Sequence, residues 1–270
     1  MGFSVNTNID AINVHRNLTV TGARMSDSLK RLSSGLRINS AKDDASGLAI
    51  ANSFAAKIAS LKVGAQNAKE AQSMLQTADG ALSKINDILV RMKSLATEGA
   101  SEQSDVAKLS PEFTSLKAEI DAIANSTSYN GTVLLNAVDT VTFQLGSNAV
   151  ADEQVILTTV DARVAALGAT AAVLTDHTTS ATAMGLIDTA IDNVSTAMAA
   201  IGASMNELQY KSENLAITME NYSASESAIR DVDMAAEMTN FTKNQILQQS
   251  GMAMLAQANA APQQILTLLK

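Results

Sequence analysis

The 270-residue chain has no cysteine, no tryptophan and only two prolines, Pro111 and Pro262. Without cysteine there is no disulfide framework, no thiolate metal site and no cysteine nucleophile. Aromatic residues make up 3% of the chain, too few for the thick core of a compact globe of this size. There is also no basic excess: 19 Lys and Arg stand against 27 Asp and Glu, a formal net charge of −8. Phosphate contacts need clustered cations, so a nucleic-acid binder is excluded. No stretch of 18 consecutive apolar residues occurs, so no membrane span is expected. The opening Met1-Gly2-Phe3-Ser4-Val5-Asn6 lacks the basic and then apolar segments of an ordinary secretory signal.

What fills the chain is Ala, Ser, Thr, Asn, Gln and Met, which suit long helices with narrow apolar seams. Phe54, Ile58, Leu61, Ala65, Ala68, Gln72, Leu75, Ala78, Leu82, Ile85, Leu89, Met92 and Ala96 follow one another at gaps of four and three. That spacing marks a helix packed along its length against other helices, about 65 Å long at 1.5 Å per residue. Only Gln72 interrupts it. A second seam runs through Val106, Leu109, Phe113, Leu116, Ile120 and Ile123, with Ser110-Pro111 offering a cap and a first-turn proline where a helix begins or restarts. The third comprises Ile187, Ile191, Val194, Met198, Ile201, Met205, Leu208, Ser212, Leu215, Met219, Tyr222, Glu226 and Ile229. Spacing alone fits an ordinary antiparallel bundle as well as anything more specialised.

Between the second and third seams the pattern changes. Val141-Thr142-Phe143-Gln144-Leu145 alternates as a half-buried strand does, Gly146-Ser147-Asn148 signals a turn, and residues 155–160 supply a second strand. Residues 137–183 therefore read as a small β element with irregular chain. Near the C-terminus, residues 244–269 carry no charged side chain. This segment is too polar for a membrane helix and too apolar to stay exposed on a monomer. It holds Ile246, Leu247, Met254, Leu255, Ile265, Leu266, Leu268 and Leu269, and the N-terminal stretch holds Ile9, Ile12, Leu18, Met25, Leu29 and Leu32 at mostly helical intervals. Both ends read as helices in need of partners, either their own bundle or other molecules. The reading is a mainly α fold, a long antiparallel coiled-coil-like helical rod with a small β-hairpin and paired terminal helices.

No catalytic constellation emerges. His15 and His177 are the only histidines and lack metal-ligand spacing, and Asp43-Asp44 and Asp231 with Asp233 have no phosphate loop or nucleophile nearby. No enzyme, metal or cofactor is expected.

The run Leu29-Lys30-Arg31-Leu32-Ser33-Ser34-Gly35-Leu36-Arg37-Ile38-Asn39-Ser40-Ala41-Lys42-Asp43-Asp44-Ala45-Ser46-Gly47-Leu48-Ala49-Ile50 closely resembles the N-terminal signature of bacterial flagellins. Four further stretches agree in order: Leu75–Leu82, Glu119–Gly131, Ile229–Asp233, and Leu255–Asn259 before the Leu268-Leu269 end. The resemblance covers roughly residues 1–146 and 185–270. It implies a structural subunit of the extracellular flagellar filament. Residues 1–41 and 230–270 would pair as the filament core, D0, and 42–229 would form D1. Gly35, Arg37, Asn39, Asp43, Asp44 and Gly47 would belong to the non-helical spoke between them, with Asp43 or Asp44 capping the next helix. Only about 45 residues separate the matched halves, so large outer domains are not expected.

The implied partners are further copies of the chain, an export chaperone and the export apparatus, and filament cap and junction proteins. A Toll-like innate immune receptor is a further implied partner, on a patch of Leu89, Arg91, Leu95 and Glu112. A hook–filament junction protein and a discrete coiled-coil adaptor are the alternatives to a filament subunit.

Overall fold

A computed structural model describes residues 7–148 and 150–268; for Ala151 and residues 261–268 only the backbone is described. Five helices dominate: α1 (Ile9–Ser34), α2 (Ala45–Gly99), α3 (Val106–Ser126), α4 (His177–Arg230) and α5 (Met234–Leu268). Four short strands lie between α3 and α4: β1 (Ser128–Tyr129), β2 (Thr132–Val133), β3 (Thr140–Gln144) and β4 (Gln154–Thr158). The chain separates into two compact units, Met1–Ala56 with Asn221–Lys270, and Lys57–Glu220.

In the middle unit the buried stripe of α2 runs Leu61, Gly64, Ala68, Ala71, Leu75, Ala78, Leu82, Ile85, Leu89, Met92, Ala96 and Gly99. Its gaps of three and four alternate without a break, as a heptad seam requires. This corrects the expected stripe at two places: Gly64 is buried where Ala65 was expected, and Ala71 where Gln72 was. Gln72 faces solvent, so the polar interruption does not exist. In α4 the buried line is Ser180, Ala183, Ile187, Ala190, Val194, Ala197, Ile201, Leu208 and Leu215. The larger Ile191, Met198 and Met205 lie at its flank, half-buried. The two helices run antiparallel, since Gly99 lies against Ser180 and Lys93 pairs with Asp188 at 2.5 Å.

α3 begins at Val106, the first residue of the second seam, and neither begins nor restarts at Ser110-Pro111. Starting a turn earlier buries Val106 with Phe113, Ile120 and Ala124, while Pro111 sits within the helix on its exposed side. The β1–β2 hairpin turns through Asn130 (φ 48°) and Gly131 (φ 83°). Positive φ at both central residues is the geometry that an Asn-Gly pair favours in a two-residue hairpin loop.

The β3–β4 pair is antiparallel, with Val141 opposite Leu157 and Phe143 opposite Val155. It rests on both long helices: Asn67 Nδ2 donates to the Gln144 carbonyl at 2.7 Å, and Lys211 Nζ to the Gln154 carbonyl at 3.0 Å. Gly64 has a specific reason to be glycine, because any β-carbon there would run into the Leu145 carbonyl. Residues 159–176 follow as a loop fastened by Lys117 Nζ, which donates to the carbonyls of Thr170 and Ala172. The irregular stretch therefore ends earlier than the sequence suggests. α4 starts at His177, where the Asp176 carboxylate accepts from the Thr179 amide at 2.8 Å as a helix N-cap.

The terminal unit is built on α1 against α5. Asn8 caps α1 by accepting from the Ala11 amide, and Gly35 (φ 72°) closes it in the left-handed conformation that glycine tolerates. In the same unit Phe54 and Tyr222 stack with ring centroids 5.5 Å apart.

Candidate assembly surface

The face that α1 and α5 turn toward each other is narrow and rich in small or polar groups. On α1 it carries Ala11, Val14, Leu18, Thr21, Met25, Ser28, Arg31 and Leu32. On α5 it carries Glu237, Phe241, Asn244, Gln248, Gly251, Leu255 and Ala258. Ser28 and Glu237 are the buried polar residues here, and Arg31 Nη1 lies 3.8 Å from the Glu237 carboxylate. Leu18 seats against Gly251, and Asn8 Nδ2 donates to the Ala258 carbonyl at 2.7 Å.

A second set of large apolar side chains points the other way. Ile9 (63%), Ile12 (60%), Val20 and Leu29 are exposed on α1, and Met234, Met238, Ile246, Leu247, Met252 and Met254 on α5. Met238, Ile246 and Leu247 line an open groove with Thr239, Thr242 and Lys243. Fully burying one such side chain is worth roughly 1.5–3 kcal/mol, so this face leaves apolar burial unused.

This geometry divides the residues that the sequence singled out. Ile9, Ile12, Leu29, Ile246, Leu247 and Met254 are exposed, whereas Leu18, Met25, Leu32 and Leu255 are half-buried in the helix pair. The side chains of Ile265, Leu266, Leu268 and Leu269 lie outside the described residues.

The linker residues form one connected arrangement. The Arg37 amide donates to the Arg230 carbonyl at 2.7 Å and the Val232 amide to the Gly35 carbonyl at 3.0 Å, which makes Leu36 and Asp231 an antiparallel bridge. Arg37 Nη2 adds a bond to the Ile229 carbonyl at 2.6 Å. Asp44 is the residue that caps α2, accepting from the Gly47 amide at 2.9 Å. Asp43 turns back to accept from the amides of Asn39 and Ser40 and from the Ser40 hydroxyl. Those bonds, the Ser40 hydroxyl foremost, hold the Asp43 carboxyl below its ordinary pKa. Asn39 Nδ2 donates to Ser34 Oγ at 2.7 Å, and a β-carbon at Gly47 would displace the ends of the Asp44 and Ile38 side chains. Sequence reasoning missed the partner strand of this arrangement, Ile229–Val232. The motif Ile229-Arg230-Asp231-Val232-Asp233 stands out in the sequence, but nothing in one extended segment names its mate.

Of the four expected receptor-patch residues, Leu89 (0% exposed) and Leu95 (1%) lie in the core of the middle unit and offer no surface. Arg91 and Glu112 are exposed and pair with each other at 2.7 Å. His15 is exposed on α1, and His177 Nδ1 lies 2.8 Å from the Gly99 carbonyl. Among the described residues no three His, Asp or Glu side chains converge as a metal site requires. Among the same residues no helix is long and apolar enough to cross a membrane.

Charge is divided between the units. The terminal unit has nine basic and eight acidic residues, the middle unit ten basic and nineteen acidic. The whole acidic excess is in the middle.

The comparisons with known proteins point in one direction. Residues 5–140 match the family model described as the bacterial flagellin N-terminal helical region, and residues 184–269 the bacterial flagellin C-terminal helical region. A flagellin of Halalkalibacterium halodurans is 42% identical over 270 residues, covering 98% of this chain and 99% of that protein. A flagellin of Bacillus subtilis is 36% identical over 304 residues with the same coverage. The crystal structure of Bacillus cereus flagellin superposes with a TM-score of 0.50 at 30% identity, covering 56% of this chain and 88% of that one.

Proposed function

The chain belongs to the bacterial flagellin family and is a structural subunit of the extracellular flagellar filament, and from that premise we propose that the exposed apolar faces of α1 and α5 are the surface by which its copies stack. The observation that carries this is the set of large apolar side chains that the terminal helix pair leaves uncovered. Its shared face mixes Leu18, Met25, Leu32, Phe241 and Leu255 with Thr21, Ser28, Glu237, Asn244 and Gln248, while Ile9, Ile12, Leu29, Ile246, Leu247 and Met254 face solvent. A pair built this way has apolar surface still to bury against neighbours. Open-ended stacking through heterologous contacts generates a helical polymer.

On this reading residues 1–41 and 230–270 form the filament core, D0, and 42–229 form D1, with the Gly35–Gly47 segment as the spoke. The terminal helices order fully only as a subunit is added, the ordering cost offset by burial against neighbours. Passage in an unfolded state, with an export chaperone and the export apparatus, suits a chain with no cysteine to trap and two prolines to isomerise. Contacts with cap and junction proteins belong to the same proposal. Recognition by a Toll-like receptor is carried only as far as the exposed Arg91–Glu112 pair.

The test is electron microscopy of purified chain after adding short filament seeds, beside a variant lacking residues 244–270 and a variant Ile246→Asp/Leu247→Asp. Long tubes of uniform diameter from the native chain, and none from either variant, are expected. Tubes from the aspartate variant at the native rate would remove this face from the interface. Discrete particles from the native chain under every condition would refute stacking.

A further inference from the structure

The chain's methionines are sorted by position. Met25, Met74, Met92, Met184, Met198, Met205 and Met219 are all buried or half-buried. The four methionines of α5 are all exposed: Met234 48%, Met238 50%, Met252 52% and Met254 60%. Among the described residues, therefore, every exposed methionine lies on one helix. Met234 and Met252 are eighteen residues apart, five full turns at 3.6 residues per turn, and Met238 is one turn beyond Met234, so these three form a stripe. Met254 lies with Leu247, seven residues before it, on the opposite flank of the face turned to α1. The two flanks thus bracket the helix–helix contact, and both fall on the surface assigned above to stacking.

We propose that Met234, Met238, Met252 and Met254 form an oxidation site that controls polymerisation, with a peroxide as the reactant and the free subunit as the form that reacts. The proposal rests on the assembly reading. The thioether Sδ attacks one oxygen of hydrogen peroxide; an S–O bond forms as the O–O bond breaks. The sulfur loses two electrons and the departing oxygen, which keeps its own hydrogen, takes them as hydroxide; the proton shed by the transferred hydroxyl, directly or relayed by solvent, then makes it water. A flexible apolar side chain becomes a polar sulfoxide. On a surface whose stacking depends on burying apolar groups, each sulfoxide must be desolvated without a built partner, which opposes addition. In the polymer the same side chains are covered, so the reaction is confined to unassembled chain. The change is reversible, because methionine sulfoxide reductases remove the oxygen.

The experiment treats native chain with hydrogen peroxide, maps sulfoxides by peptide mass, and measures the critical concentration for seeded polymerisation by sedimentation. Sulfoxides at the four α5 methionines, with the methionines of the middle unit spared, and a critical concentration raised about tenfold or more are expected, equivalent to about 1.4 kcal/mol per subunit. Reductase treatment should restore the native value. Preformed filaments should acquire α5 sulfoxides at least several-fold more slowly than free chain. The variant Met234→Leu/Met238→Leu/Met252→Leu/Met254→Leu should polymerise equally well before and after peroxide.

Oxidised native chain that polymerises normally would overturn the proposal, as would inhibition that persists in the leucine variant. If the leucine variant does not polymerise at all, reversal by reductase on native chain decides: recovery supports the proposal and no recovery refutes it. Failure of untreated native chain to form tubes would instead remove the assembly reading, and this proposal with it.

Discussion

The backbone amide of Arg37 donates to the carbonyl oxygen of Arg230 at 2.7 Å. Those two residues are 193 positions apart, and around them Val232 bonds back to Gly35 and the Arg37 guanidinium to Ile229. The segment that leaves α1 and the segment that enters α5 are thus paired in one register, next to the helix pair they lead into. A one-residue slip here would displace every α1–α5 contact further along.

Replacing Arg37 with alanine removes the side-chain bond to Ile229 and leaves the two backbone bonds. A charged donor to an exposed carbonyl contributes about 1 kcal/mol, so the bridge should open roughly fivefold more often. Hydrogen exchange at the Val232 amide reads this directly, since that amide donates to Gly35. Arg37→Lys should recover part of the protection. An unchanged exchange rate in Arg37→Ala would mean the backbone bridge stands without the side chain.

Gly64 and Gly80 make a paired test of why α2 contains glycine. A β-carbon at Gly64 meets the Leu145 carbonyl, whereas one at Gly80 meets nothing within 4 Å. Gly64→Ala should destabilise the middle unit by about 1–3 kcal/mol, the usual cost of overpacking, and loosen β3–β4 from α2. Gly80→Ala should stabilise it by roughly 0.5–1 kcal/mol, the helix-propensity difference. Thermal unfolding of the two variants, with exchange at the hairpin amides, checks both signs.

The contrast between those two glycines explains what could be read in the sequence. The helices were legible because heptad spacing is local, and Val141–Leu145 carries its own strand signal, whereas the β1–β2 hairpin went unread although Asn130-Gly131 is a turn signal. The register of the α2 seam was not legible, because Ala65 and Gly64, or Gln72 and Ala71, are separated only by which helix face meets α4. Leu89 already stood in the heptad seam, so its burial was legible, whereas Leu95 lies off that seam in sequence and in the core in space. The outward turn of Ile9, Ile12, Ile246 and Leu247 was foreshadowed by an uncharged C-terminal segment. The mixed inner face opposite them, with Ser28 and Glu237 buried in it, became visible only when α1 was set against α5.

Acid should loosen the caps before it unfolds the seams. The Asp176 carboxyl is held below its usual pKa first by the Thr179 amide, and Asp43 first by the Ser40 hydroxyl. For a carboxylate depressed in the fold, the contribution is present above the unfolded-state pKa and is lost as pH falls through the lower, folded value. Both groups are exposed, so the effect is local fraying at the start of α4 and in the 39–43 turn. Exchange at the Thr179 and Ser40 amides, corrected for intrinsic pH dependence, should lose protection as pH drops below about 4. Asp176→Asn should flatten the Thr179 response while leaving that at Ser40 intact.

Ionic strength should act on polymerisation through the middle unit. Its nineteen acidic and ten basic residues repel the same unit on a neighbouring subunit, while the terminal unit is nearly neutral. Screening length falls from about 30 Å at 0.01 M salt to about 8 Å at 0.15 M, so repulsion between neighbouring units should be strongly reduced over that range. The critical concentration should therefore fall as salt rises, most steeply below 0.15 M by this estimate. Replacing the exposed Asp192 and Glu213, which have no ion-pair partner among the described residues, with asparagine and glutamine should lower the critical concentration at low salt and shrink its salt dependence. A critical concentration that rises with salt would place attractive charge pairs, and not repulsion between acidic surfaces, at the contact between subunits.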